Sequence, residues 1–244
     1  MSFNFSPKIV TDGLALYLDA ANQKSYDGTG IIWSDLSKNK NYTSLVNGPT
    51  FSNENCGSII FDGIDDYCVT PVGLTPSLNI TSQITLETWI KPADIANINQ
   101  GSGIISKGLS TDLNSAVYEL ILSNNTTTNR PSFRMRIGAS AQLYSPTNIP
   151  ININQIYNIT CTYNGSIMRI FINGIESGPG LLASGSIQSN TQQLAIGVRY
   201  VHIANPTFDS YFSGNIYLSK IYNRALSETE ITQNYNALKS RFKL

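Results

Sequence analysis

Ser58-Ile-Ile-Phe-Asp-Gly-Ile-Asp-Asp-Tyr-Cys-Val-Thr70 sets two short apolar runs on either side of Gly63-Ile-Asp-Asp66. Residues 58–62 and 67–70 read as strands, because each run is rich in β-branched and aromatic side chains and is bounded by turn residues. The connection packs Asp62, Asp65 and Asp66 into five positions. Three carboxylates so close fit a catalytic acid/base pair, the ligands of a metal ion, or a turn whose carboxyls capture nearby backbone amides. Calcium is the metal that suits them, since it takes six to eight oxygens from carboxylates and carbonyls.

The same strand signature continues outward. Ile84-Thr-Leu-Glu-Thr-Trp-Ile90 alternates, as do residues 133–137, 157–163 and 167–172, and further strands are expected at 14–19, 118–122, 194–198 and 215–222. Asn173-Gly174 lies between apolar runs, a hairpin signal because both residues tolerate positive φ, and Asn164-Gly165 forms a second turn of this kind. Ten short strands punctuated by Gly, Pro and Asn predict an all-β sandwich of two antiparallel sheets. A single domain over residues 1–244 is expected, with residues 1–7 as an N-terminal arm.

One helix is predicted at 227–242. Ser227-Glu-Thr-Glu230 is a capping box, and Ile231, Tyr235, Leu238 and Phe242 recur at helical spacing as one apolar stripe that must pack on the sandwich.

The chain has 244 residues, 41% of them hydrophobic and only 13% charged, with 16 Lys+Arg against 16 Asp+Glu. Its solubility must come from neutral polar groups, and Ser, Thr and Asn supply 74 residues. Such a coat lacks the clustered cations that nucleic acid requires and the polybasic stretch of a membrane-surface protein. No apolar run approaches the ~20 residues of a membrane span. The start has no signal-peptide pattern, so synthesis in a cytoplasm is expected. Cys56, Cys68 and Cys161 are odd in number and lack metal spacing, so they read as reduced thiols.

Several segments, taken in order, resemble the laminin-G-like (concanavalin A-like lectin/glucanase) jelly rolls. They are Gly13-Leu-Ala-Leu-Tyr-Leu-Asp19, Trp33-Ser-Asp-Leu-Ser37, Ile60-Phe-Asp-Gly-Ile-Asp-Asp-Tyr67, Ile84–Ile90, Tyr157-Asn-Ile-Thr-Cys-Thr-Tyr-Asn-Gly165, Ile170-Phe-Ile-Asn-Gly174, and Phe212-Ser-Gly-Asn-Ile216 running into Ile221–Ile231. The ending Asn234-Tyr-Asn-Ala-Leu-Lys-Ser-Arg-Phe242 is similar to that of laminin-G-like structural proteins of tailed bacteriophages. The resemblance implies a jelly roll, often with a structural calcium ion, here near Asp62, Asp65 or Asp66. After Asn215-Ile216 the family often has an acid where this chain has Tyr217, which would weaken a metal site that used it.

No catalytic set emerges. Glycosidases need two carboxyls about 5–9.5 Å apart across a cleft, and the Glu-x-Asp-x-x-Glu strand of glucanases with this fold is missing. Glu87 has no acidic neighbour two or three residues away, His202 stands alone without a Gly-x-Ser-x-Gly elbow, and Gly178-Pro-Gly180 lacks the strand and helix of a dinucleotide fingerprint. Binding is the better expectation. Arg134 and Arg136 face away from Phe133, Met135 and Ile137, and Trp89, Tyr118, Tyr144 and Tyr200 are the aromatic faces available to a sugar; the competing reading is that Trp89 and Tyr118 fill the core and the two arginines are simply solvated.

The expected function is that of a non-enzymatic virion structural or adhesion protein, a capsid decoration or tail-fibre component at the virion surface that holds host glycans. A lectin module outside any virion, extracellular in location, is the alternative, and a glycoside hydrolase is the weaker one. Assembly as a homo-oligomer or on other virion proteins is expected through an edge strand or the arm, where Phe3 and Phe5 recur at period two.

Overall fold

The computed structural model describes residues 7–94, 101–108, 116–125, 128–146, 150–200 and 208–244. Phe3, Phe5 and His202 lie outside the described residues. Nineteen strands are described. The first six are β1 (Leu14–Asp19), β2 (Ile32–Ser34), β3 (Tyr42–Val46), β4 (Thr50–Ser52), β5 (Ser58–Asp62) and β6 (Tyr67–Val69). Then follow β7 (Ile84–Asp94), β8 (Ser102–Gly108), β9 (Ala116–Asn125), β10 (Thr128–Ile137), β11 (Ser140–Tyr144), β12 (Tyr157–Tyr163) and β13 (Ile167–Ile172). The last are β14 (Ile175–Glu176), β15 (Leu181–Leu182), β16 (Leu194–Ile196), β17 (Arg199–Tyr200), β18 (Phe208–Asp209) and β19 (Ser213–Tyr222), followed by helix α1 (Glu228–Leu238).

Seventeen of these strands form two antiparallel sheets, and β17 and β18 pair as a separate two-stranded ribbon. The nine-stranded sheet runs β14-β13-β12-β7-β19-β5-β4, with β1 on β19 and β15 on β13; the eight-stranded sheet runs β11-β10-β9-β8-β16-β6-β3-β2. Alternation explains the core between them. Ile84, Leu86 and Ile90 of β7 pack in one apolar cluster with Tyr118, Leu120 and Leu122 of β9 and Phe133, Met135 and Ile137 of β10. The expected two-sheet sandwich with one C-terminal helix is what forms.

The outer face of the nine-stranded sheet is sealed by α1. Glu230 N donates to Ser227 Oγ at 3.3 Å and Ser227 N donates to Glu230 Oε2 at 2.9 Å, so the capping box is complete. Of the predicted stripe, Ile231 and Phe242 are buried, while Tyr235 and Leu238 pack half-buried against Trp89 and its neighbours. Trp89 stacks with both Phe242 (ring centroids 4.3 Å apart) and Tyr235 (5.5 Å). Beyond the helix, Arg241 Nη1 donates to Asp19 Oδ1 at 2.8 Å and its Nε to Asn55 O at 2.7 Å.

At Asn173-Gly174 the φ values are 53° and 79°, as the hairpin signal requires. Asn164 instead keeps an ordinary φ and accepts from Ser166 N and Ile167 N through Oδ1, both at 3.0 Å, an Asx turn.

Candidate functional site

The acidic connection between β5 and β6 is a turn that closes on its own backbone. Asp62 Oδ1 accepts from Ile64 N at 2.8 Å and Asp65 N at 3.3 Å, and Asp66 Oδ2 accepts from Asp62 N at 3.1 Å. The three carboxylates nonetheless stay together, each with an oxygen within 4.8 Å of the others. None is in an ion pair among the described residues. Burial, reinforced by the charges of Asp62 and Asp65, raises the Asp66 carboxyl above its ordinary range. Oxygens left over from the turn bonds on all three residues form a hard donor set that suits calcium. Tyr217 has no part in it. Ser213 pairs with Asp62 in register and Ile216 with Ile59, so Tyr217 lies at the far end of β5, buried against Phe242 and the Arg241 guanidinium. The missing acid therefore takes nothing from this turn.

Neither of the two buried strand glutamates, Glu87 and Glu119, has the surroundings of a catalytic acid. Glu87 is buried under α1, 2.8 Å from Lys220 Nζ, and accepts from Asn234 Nδ2 at 2.7 Å. Glu119 is equally buried on the other sheet, on the face turned away from the core. Burial keeps the Cys68 and Cys161 thiols protonated, with Cys68 pushed up to about 12.

The outer face of the eight-stranded sheet is built around Glu119. Direct partners in an antiparallel sheet share a face, so one row can be followed across all eight strands. It runs Ile32, Ser44, Val69, Ala195, Ser106, Glu119, Arg134, Leu143. The centre of the row is closed: Ala195, Ser106 and Glu119 are buried. The Val198–Arg199 backbone crosses directly over Gly103, leaving no room for a Cβ. Arg199 Nη2 then reaches Glu119 Oε2 at 3.3 Å, while Ser106 Oγ donates to Oε1 at 3.0 Å. Arg134 Nη1 stands farther off, 3.9 Å from Oε2.

The two ends of the row are open. Leu143 is 56% exposed at one end and Ile32 46% at the other. Beside Ile32, Tyr42 pairs with Ser34 on the same face and is 53% exposed. A polar cavity of about 350 Å³ adjoins it, lined in part by Lys24, Asp27, Thr29, Ile32 and Ser34.

The six residues expected to meet a sugar do not come together. Arg134 and Arg136 share the outer face, and Arg136 Nη2 donates to Ala139 O at 3.2 Å. Trp89 is fully buried on the opposite sheet beneath the helix. Tyr118 is fully buried in the core with its hydroxyl donating to Leu78 O at 3.0 Å; neither ring has surface to offer. Tyr144 turns toward the core, and its hydroxyl donates to Ser177 O at 2.9 Å and accepts from Gly180 N at 3.0 Å. Tyr200 lies in β17, paired with Phe208, and its side chain is outside the described set. Tyr42 was missed because a lone Tyr beside Asn41 carries no periodic signal; only the β2–β3 pairing shows that it stands on the outer face.

These layers define a jelly-roll sandwich of the lectin type, with one sheet face sealed by a helix and the other open at both ends. A model of the concanavalin A-like lectin/glucanases superfamily matches residues 62–232. The chain belongs to that superfamily. No curated protein matches it. Among solved structures, it is similar to domain 4 of AbnA, an extracellular arabinanase from Geobacillus stearothermophilus, in complex with arabinotriose. The TM-score is 0.65 at 15% identity, covering 93% of this chain and 100% of that one. The binding domain of Paraclostridial Mosquitocidal Protein 1 gives 0.66 at 17% identity, over 92% of this chain and 52% of that domain. The Trypanosoma rangeli sialidase in complex with 2,3-difluorosialic acid gives 0.66 at 18% identity, over 98% of this chain and 36% of the enzyme. At these identities the likeness is one of fold.

Proposed function

We propose that this chain is a non-enzymatic glycan-binding protein that binds through the open ends of its eight-stranded sheet. The observation that carries this reading is Tyr42, a half-exposed aromatic ring on the outer face whose register partner Ser34 lines a polar cavity of about 350 Å³. A ring that packs on the apolar face of a sugar, next to convergent polar groups, is the usual composition of a small-ligand site of this size. The family, and neighbours of the same fold solved with arabinotriose and with a sialic acid derivative, support it. Against hydrolysis stand Glu87 and Glu119, each buried and held by a cation. A glycan array tests the reading: wild-type protein binds a defined set of glycans, and Tyr42→Ala loses at least part of that set while keeping its fold.

A virion surface is the setting we propose for this activity, as a capsid decoration or fibre component. What favours it is the ending Asn234–Phe242. Within that ending Asn234, Tyr235 and Phe242 hold the helix to the sheet. Location of the gene among capsid and tail genes tests the setting, and the solution mass after deletion of residues 1–6 tests assembly through the arm. Calcium, if bound by Asp62, Asp65 and Asp66, would supply charge balance to the turn.

A further inference from the structure

We propose that the outer face of β10 is a site for carboxylate-bearing glycans, an inference that rests on the glycan-binding reading above. Alternation places Arg130, Ser132, Arg134 and Arg136 on one face of β10, opposite Phe133 and Met135 in the core. Successive arginines therefore stand about 13 Å and about 7 Å apart along the strand. The chain has seven arginines. Arg169, Arg224 and Arg241 each have a carboxylate at 3.0 Å or closer. Of the other four, Arg134 and Arg199 share the carboxylate of Glu119.

Glu119 is already spent. Its Oε2 is nearer to Arg199 than to Arg134, and its Oε1 takes the Ser106 hydroxyl. Arg134 therefore keeps its donors, its one ion-pair partner among the described residues being the carboxylate 3.9 Å away. Arg130 is in no ion pair among the described residues, and its Nε is buried without a hydrogen-bond acceptor. Guanidinium forks match a carboxylate with two parallel, charge-assisted hydrogen bonds, which a sugar hydroxyl cannot give. Leu143, exposed and in register with Arg134, offers the apolar contact that a pyranose ring needs beside its acid. An acidic saccharide lying along β10 satisfies both.

Calorimetric titration with trigalacturonate, its methyl ester, 3′-sialyllactose, lactose and a sulfated dextran tests the site. The expected result is that at least one of the two carboxylate sugars binds about tenfold or more tightly than its uncharged counterpart. Which one binds distinguishes a uronic acid from a sialic acid. The preference disappears in Arg134→Gln and in Arg130→Gln. Arg130→Gln breaks no described ion pair, so it separates lost binding from lost folding, and thermal midpoints check both variants. Equal affinity for charged and uncharged sugars overturns the inference and leaves the glycan-binding reading standing. Sulfated dextran binding as tightly as the carboxylate sugars overturns it in favour of an unselective polyanion surface. No binding to any saccharide here or on an array overturns both.

Discussion

Lys220 Nζ lies 2.8 Å from Glu87 Oε1, and both side chains are sealed from solvent beneath α1. The two residues are direct partners on β19 and β7. The ammonium has no aligned hydrogen-bond acceptor, so charge holds the pair, while Asn234 of the helix completes the carboxylate at 2.7 Å. Removing one partner leaves the other charged and buried, which costs about 3–5 kcal/mol. Glu87→Gln and Lys220→Met are each expected to lower the unfolding free energy by that order. The double variant should recover most of the loss, because no unpaired buried charge remains and Asn234 can still donate to the amide oxygen that Glu87→Gln provides. Chemical denaturation of the three variants reads this directly; additive losses would show that the pair is not coupled.

Phe242 closes the same assembly from the chain's end, stacked on Trp89 with ring centroids 4.3 Å apart. Phe242→Ala should destabilise by about 3 kcal/mol, the cost of emptying an aromatic site, and should expose Trp89 to quenchers of its fluorescence. An unchanged midpoint with unchanged quenching would mean that the terminal turn does not cover the sheet.

Lys107 of β8 is buried, donates from Nζ to Gln192 O at 2.6 Å, and has its ammonium pushed down to about 8 by burial. The folded state therefore binds this proton more weakly than the unfolded chain does. Its contribution is favourable above the ordinary lysine range and is lost as pH falls through about 8. At pH 7 the charge is a cost, so Lys107→Met should stabilise by about 2 kcal/mol after the lost hydrogen bond is subtracted. That gain should shrink as pH rises past 8. A gain independent of pH between 7 and 10 would contradict the account.

The Asp62–Asp66 turn makes two opposite predictions depending on calcium. Without the ion, the raised Asp66 carboxyl means the folded state prefers its proton, so the group's contribution falls as pH rises through the carboxylate range. Asp66→Asn should therefore raise the thermal midpoint in chelator, since the amide oxygen can still accept from Asp62 N. With the ion, wild type should gain about 1.4 kcal/mol at ten times Kd, and Asp66→Asn should gain much less. Equal midpoints of wild type in chelator and in excess calcium would remove the ion.

The strands that carried the sandwich in the sequence were those with apolar residues at every second position, such as Phe133-Arg-Met-Arg-Ile137. Ser102-Gly-Ile-Ile-Ser-Lys-Gly108 carries no such signal, yet it is buried throughout between β9 and β16. Its conformation is imposed by its neighbours. The capping box was legible because it is local. The place of Trp89 beneath the helix was not, because alternation tells which residues share a face but not which face a helix will cover. Arg134 and Arg136 could be placed together from period two alone; Glu119, Arg199 and Tyr42 needed the pairing of distant strands.

The central claim is that saccharides bind at the open ends of the eight-stranded sheet. Its most direct test is to titrate the best glycan from an array into isotopically labelled protein and map the backbone amide shifts. The account predicts that the largest shifts fall in β2 and β3 around Tyr42, in β10 and β11 around Arg134, or in both. Shifts centred on α1 or on β4 and β5, with those two regions silent, would contradict it.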